Sequence, residues 1–157
     1  MASSYAVRRE TIVLAPADRV HALVVDFRSW RRWSPWDDLD PDMDRTYSGA
    51  DAGVGARYAW SGNRKAGRGH MEITDATAQR VDIALAFEKP FPSTSTVTSD
   101  LTPEGDETHV EWTTSGDMTL GMKVFSLVKP MEELLGPDME KGLVRLKAAA
   151  EADARTT

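Results

Sequence analysis

Hydrophobic and polar positions change period twice along the chain. From Tyr5 to Leu14, YAVRRETIVL is rich in β-formers and runs into Ala15-Pro16, a strand leading to a helix start. Pro16 suits the first position of a helix because its φ is already fixed there. Val20, Leu23, Val24 and Phe27 then recur at spacings of three and four, which predicts a short amphipathic helix from about Pro16 to Val25. A second helical turn near Phe27 to Arg32 should end before Pro35, since the residue ahead of a proline is pushed out of the α region.

From Arg45 to Asp117 the period falls to two. Six segments of strand character, RTYSG, ARYAWSG, GRGHMEIT, RVDIALAF, STSTVTSDLT and THVEWTTSGDM, are separated by short turn-forming stretches such as NRKA, DATAQ and PEGDE. Turns this closely spaced predict sequential antiparallel strands joined by hairpins. Alternation assigns the faces: Val81, Ile83, Leu85 and Phe87 share one side, as do Val110, Trp112 and Thr114, and Tyr58 and Trp60. Asp82, His109, Glu111 and Arg57 fall on the other side, so one face is aromatic and aliphatic and the other polar.

The tail returns to helical spacing. In GPDMEKGLVRLKAAAEADA, Gly136 is placed as an N-cap and Pro137 as the first helical residue, with Asp138 and Glu140 where the helix dipole favours acids. Met139, Leu143, Leu146 and Ala150 form a stripe expected to pack on the apolar sheet face. Upstream, LGMKVFSLVKPMEELL reads as a shorter apolar helix or lid broken around Pro130.

Composition narrows the partners. The 157 residues suit a single domain over 1–157 with an ordered core of about 5–152, and the final ARTT is expected to be disordered. Lysine plus arginine is 19 against 25 aspartate plus glutamate, a formal charge of -6. An acidic chain without a basic stripe disfavours nucleic acid and anionic membranes. There are no cysteines, which excludes disulfides and thiolate chemistry. Neither a signal-peptide pattern nor a run long enough to span a membrane is present, so a cytoplasmic location is expected.

Three stretches, APADRVHALVVDFRSWRRWSPW (residues 15–36), YSGADAGVGARYAWSGNRKAGRGHMEIT (47–74) and GPDMEKGLVRLKA (136–148), resemble the SRPBCC superfamily, specifically its polyketide cyclase/dehydrase-like members. The resemblance covers nearly the whole chain. It implies an α+β START-like helix-grip fold, in which a seven-stranded curved antiparallel sheet grips a long C-terminal helix and two short helices follow the first strand. Members include ligand carriers and cyclases, so function has to be argued from the site.

A curved sheet closed by one helix leaves a gap that side chains fill only in part. The walls expected here, and hence the expected ligand-binding residues, are Trp33, Trp36, Tyr58, Trp60, Met71, Ile73, Leu85, Phe87, Trp112 and Phe125, with Met118, Met122 and Met131 near the lid. The resemblance implies that Trp30 and Trp33 stand at the corner between the small helices, and Trp36, beyond Pro35, is expected at the cavity mouth. Polar groups expected within the cavity are Tyr58, Ser99, Thr114 and Asp117.

Other chemistry finds little support. The alternating aspartates from Asp38 to Asp44 fail as a calcium loop: counting from Asp38, Met43 stands where glycine is required and Gly49 where the bidentate glutamate would be. A solvated acidic loop is expected instead. Alternation sends His70 outward, and neither His21 nor His109 has a sequence neighbour at ligand spacing. The pairs Gly53/Gly55 and Gly67/Gly69 lack the third glycine of a dinucleotide fingerprint and fit strand ends and curvature. Arg64, Lys65 and Arg68 form a basic, solvated hairpin. No catalytic residue is assigned, and neither a metal nor a cofactor is expected. The expected function is binding of a small hydrophobic molecule, a lipid, polyketide or aromatic compound, between sheet and helix. The alternatives are an aromatase/cyclase-like enzyme and a protein-interaction module using Asp37 to Asp44.

Overall fold

Indole N–H groups close the first helix. In the computed structural model, which describes residues 4–38, 40, 42–64, 66–89, 92–117 and 131–155, the strand β1 (Ser4–Val13) leads into α1 (Ala17–Val25) and a 3-10 helix over Phe27–Arg32. The last carbonyls of a helix have no partner within it. Trp30 Nε1 donates to the Val24 carbonyl at 2.9 Å and Trp33 Nε1 to the Leu23 carbonyl at 3.0 Å, which fastens the corner. Pro16 sits at the N-cap in an extended conformation, so the helix begins at Ala17. A second 3-10 turn covers Pro35–Asp38.

Six strands follow: β2 (Asp44–Gly49), β3 (Ala56–Ser61), β4 (Arg68–Thr77), β5 (Arg80–Lys89), β6 (Ser93–Glu104) and β7 (Glu107–Asp117). They form one seven-stranded sheet in the order β1-β7-β6-β5-β4-β3-β2, with every neighbouring pair antiparallel. All pairings but one are hairpins. The exception joins β1 to β7, from Ser4↔Asp117 to Val13↔Thr108, and brings the start of the chain beside its last strand. The β6–β7 hairpin turns on Gly105 and Asp106, and the φ of 66° at Gly105 suits a glycine in the first central position.

The faces follow the alternation. Val81, Ile83, Val110 and Trp112 are buried, while the opposite face carries exposed ion pairs such as Arg57–Glu72 at 3.0 Å and Arg68–Glu88 at 2.7 Å. Helix α2 (Met131–Arg155) lies across the buried face and presents Met139, Leu143, Leu146 and Ala150, each no more than 3% exposed.

The start of α2 differs from expectation. It begins at Met131, so Gly136 and Pro137 lie inside it rather than at its N-terminus. Gly136 serves another purpose: the Arg9 guanidinium lies where a Cβ would project, and Arg9 Nε reaches Glu140 at 2.9 Å. Residues 131–135, read above as the end of a separate lid, form the first turn of this helix. The rest of that segment, residues 120–130, lies outside the described residues.

Near its C-terminus α2 is tied down by charge. Arg32 donates to both carboxylate oxygens of Asp153 at 2.9 and 2.7 Å. Lys147 Nζ reaches the Ile12 carbonyl at 2.8 Å and Glu151 at 2.6 Å, and Glu151 accepts the Leu14 amide at 2.9 Å. Among the described residues no helix is long and apolar enough to cross a membrane.

Candidate functional site: an aromatic cavity under the helix

Between the buried sheet face and α2 lies a cavity of about 270 Å³. The 3-10 segments contribute Trp30, Trp33, Ser34 and Trp36, and the stretch before β2 adds Met43. The sheet supplies Tyr58 and Trp60 from β3, Met71 from β4, Leu85 and Phe87 from β5, Val97 and Ser99 from β6, and Trp112 and Thr114 from β7. Leu135, Asp138 and Met139 come from α2, and Ala66 from the β3–β4 turn.

Aromatic rings run through these walls and, by way of the core residue Phe27 behind them, form one continuous chain. Trp112 meets Trp33 at 5.3 Å between centroids, Trp33 meets Trp30 at 4.7 Å, and Phe27 lies edge-on to Trp30 at 5.3 Å. Phe27 reaches Tyr58 at 6.0 Å, Tyr58 stacks on Trp60 at 5.8 Å, and Trp60 stands edge-on to Phe87 at 5.3 Å. The Phe27–Trp30 and Trp60–Phe87 pairs are T-shaped and Tyr58–Trp60 is stacked, geometries that ring quadrupoles favour, while the remaining pairs are tilted. Trp60 is held by its N–H donating to the Ala66 carbonyl at 2.9 Å. It lies over Gly69, its cross-strand partner, where a Cβ would come within 2.7 Å of the indole. Gly69 is therefore a seat for Trp60 as well as a point of strand curvature.

Few polar groups interrupt the lining. Thr114 Oγ1 donates to Met139 Sδ at 3.7 Å, a weak acceptor. Ser99, on the neighbouring strand, is buried, and its hydroxyl has no hydrogen-bond partner among the described residues. Trp112 Nε1 is enclosed and also without a partner. Asp138, an exposed side chain of α2, brings a carboxylate to the lining.

Eight of the expected wall residues thus meet around one cavity: Trp33, Trp36, Tyr58, Trp60, Met71, Leu85, Phe87 and Trp112. Ile73 does not belong to the lining. It is wholly buried in the core, paired across the sheet with Ile83. Strand parity gave its face correctly, but parity carries no information on how far along the strand the gap extends. Met118, Met122 and Phe125 lie outside the described residues, as do the side chains of Met131 and Asp117. Ser99 and Thr114 line the cavity as expected.

Several lining residues were missed. Val97 shares the parity of Ser99 and could have been found by alternation along β6. Leu135, Asp138 and Met139 continue the helical stripe upstream, and placing the helix start at Gly136 hid Leu135. Met43 and Ala66 arrive through loop packing, for which sequence periodicity has no signal.

The acidic loop is more than solvated. Asp40 accepts the Asn63 amide at 2.9 Å through one carboxylate oxygen and the Asp42 amide at 3.0 Å through the other. That carboxylate pins the stretch bearing Met43 to the turn bearing Ala66, on the rim of the cavity.

The histidines lie elsewhere. His70 is exposed on the outer face, and His21 Nε2 is 2.9 Å from the Thr77 carbonyl. His109 sits 3.2 Å from Glu10, and with Glu111 the three offer ligand atoms within 4.8 Å of one another. The Glu10↔Glu111 register creates this group, so local spacing could not show it. Arg8 lies 3.7 Å from Glu111 and competes for its charge.

The fold has many relatives of known structure. A protein from Thermobifida fusca solved by NMR superposes with a TM-score of 0.69 at 22% identity, covering 92% of each chain. TTHA0849 from Thermus thermophilus gives 0.67 at 19%, covering 96% of this chain and 99% of the other. CV1439 from Chromobacterium violaceum gives 0.67 at 16%, covering 93% and 96%. Among curated proteins no sequence matches. The structural likenesses establish the helix-grip fold alone. The profile of the family described as polyketide cyclase/dehydrase and lipid transport matches residues 5–151, and the chain belongs to that family.

Proposed function

We propose that this protein binds a small hydrophobic molecule in the cavity between the sheet and α2. The observation that carries the reading is the cavity itself. Protein interiors are normally packed to the density of organic crystals, with few voids larger than a water molecule. A gap of about 270 Å³ with aromatic and thioether walls is far larger than such packing leaves. Its lining is mostly apolar with a few placed hydroxyls, the composition expected of a site for an apolar ligand. Membership in a family whose description includes lipid transport supports the same reading.

The test fills the space. Val97 lines the cavity and is only half-buried, so Val97→Phe should occupy the volume a ligand needs. Calorimetric titration of the wild-type chain with naphthalene, a sterol and a long-chain fatty acid should give binding of at least one of them. Val97→Phe should weaken that binding at least tenfold while its melting temperature is unchanged or higher. Absence of binding to all three, or undiminished binding by the variant, would overturn the proposal.

A further inference from the structure

The cavity's size and the pair of hydroxyls on its β6–β7 wall together indicate what it holds. We infer that the ligand is a compact aromatic molecule of about two fused rings, carrying an oxygen on one edge that meets the hydroxyls of Ser99 and Thr114. This rests on the binding reading above and narrows it to a chemical class.

Volume comes first. An apolar protein cavity of about 150 Å³ accommodates benzene. At about 270 Å³ this cavity is somewhat less than twice as large, room for two fused rings. Ligand pockets commonly run from about 300 to 1,000 Å³, so this one lies at the small end. A four-ring sterol or a long acyl chain would have to project beyond it.

The walls specify shape. Tyr58 and Trp60 are nearly parallel, at 19°, while Phe87 stands at 84° to Trp60. A flat ring is met there by a face and an edge, the two contacts that aromatic pairs prefer. A flexible chain would gain no quadrupole complementarity from such walls and would lose more rotamer freedom on entering.

The hydroxyl pair specifies polarity. In the β6–β7 register Ser99 stands opposite Trp112 and Val97 opposite Thr114, so Ser99 and Thr114 are diagonal neighbours on the same face. Ser99 is 3% exposed and Thr114 7%. A buried hydroxyl without a good partner costs free energy. Thr114 has only a thioether, and the Ser99 hydroxyl is open to the cavity and not sealed in the wall, so both stand available to a ligand oxygen that replaces water there. A phenolic hydroxyl or a ring carbonyl satisfies them equally.

Titration calorimetry with naphthalene, 2-naphthol and hexadecanoate separates the possibilities. 2-Naphthol is the more water-soluble of the two bicyclic probes, so apolar burial alone would make it the weaker ligand. The expected result is that it binds about tenfold tighter than naphthalene. Ser99→Ala should remove part of that advantage and Ser99→Ala/Thr114→Val the remainder, with naphthalene affinity changed less than about twofold. Retained naphthalene binding also certifies that the variants are folded. Equal or weaker binding of 2-naphthol, an advantage that survives the double substitution, or tighter binding of hexadecanoate would each overturn the inference while leaving the cavity reading intact. If none of the three binds, the inference falls, and the cavity reading falls with it when the sterol also fails to bind.

Discussion

Gly142 lies where α2 crosses the indole of Trp112. Replacing a mid-helix glycine by alanine ordinarily stabilises by about 1 kcal/mol, through helix propensity and the lost freedom of the unfolded chain. Here a Cβ would stand 2.9 Å from Trp112 Cζ3 and 3.5 Å from the Pro35 ring. Trp112 is 4% exposed and packed against Trp33, so it has little room to give. Overpacking a core costs about 1–3 kcal/mol, which exceeds the propensity gain. Gly142→Ala should therefore destabilise the protein, by about 1–2 kcal/mol in chemical denaturation. A rise in stability would mean the indole can move aside. Nothing in the local sequence KGLVR announces this contact. Trp112 lies thirty residues earlier, and only the docking of helix on sheet brings the two together.

Among the elements, strands and hairpins were the most legible, because each is specified by its own alternation and its own turn. The parity of β5 and β7 placed Ile83, Leu85, Phe87, Val110 and Trp112 on the correct face, since a strand buried on one side has no other register available to it. The start of α2 was misread because a Gly-Pro pair is a common opening to a helix, and local chemistry could not reveal that Arg9 needs the space at Gly136. The role of Asp40 was also out of reach. Its partners include a backbone amide of a hairpin 23 positions away, and backbone amides leave no mark in a sequence. Asp40→Ala removes both acceptors, so the amides of Asp42 and Asn63 should exchange with solvent faster. The expected change is about tenfold, as each of these charge-assisted bonds contributes about 1.5–3 kcal/mol before relaxation. Hydrogen exchange read at those two amides checks it, and unchanged protection would show that the rim does not depend on the carboxylate.

Across the whole molecule, the sheet is completed by β1 against β7 and α2 is held over it by the Arg32–Asp153 pair near one end. The hydrogen bonds from Arg32 hold the Asp153 carboxyl below its ordinary value. Burial alone would raise Glu151, but the hydrogen bonds from Lys147 and the Leu14 amide outweigh it and lower this group too. A carboxylate whose pKa is lower in the folded state contributes stability above its unfolded value and loses it as pH falls through the folded one. The contribution is therefore complete at neutral pH, begins to fall near the unfolded value of about pH 4 and is lost as pH drops through the lower folded value. Asp153→Asn should cost about 0.5–1 kcal/mol at pH 7, the range of a partly exposed ion pair. The difference should vanish by about pH 2, where both chains are neutral at this position. Urea denaturation at the two pH values measures it. An undiminished difference in acid would mean that the aspartate acts through packing instead of charge.

The chain of rings also makes the cavity visible by its own fluorescence. The sequence contains five tryptophans, and all five, Trp30, Trp33, Trp36, Trp60 and Trp112, line the same cavity. No indole elsewhere in the sequence contributes a constant background, so the tryptophan emission, excited selectively over the tyrosines, arises from the walls of this space alone. An arriving molecule displaces solvent from those walls and comes within contact of several emitters, and with centroids 4.7 and 5.3 Å apart along Trp30, Trp33 and Trp112, excitation passes readily between them. The protein is thus its own optical gauge of occupancy, and a titration can be followed without a label of any kind.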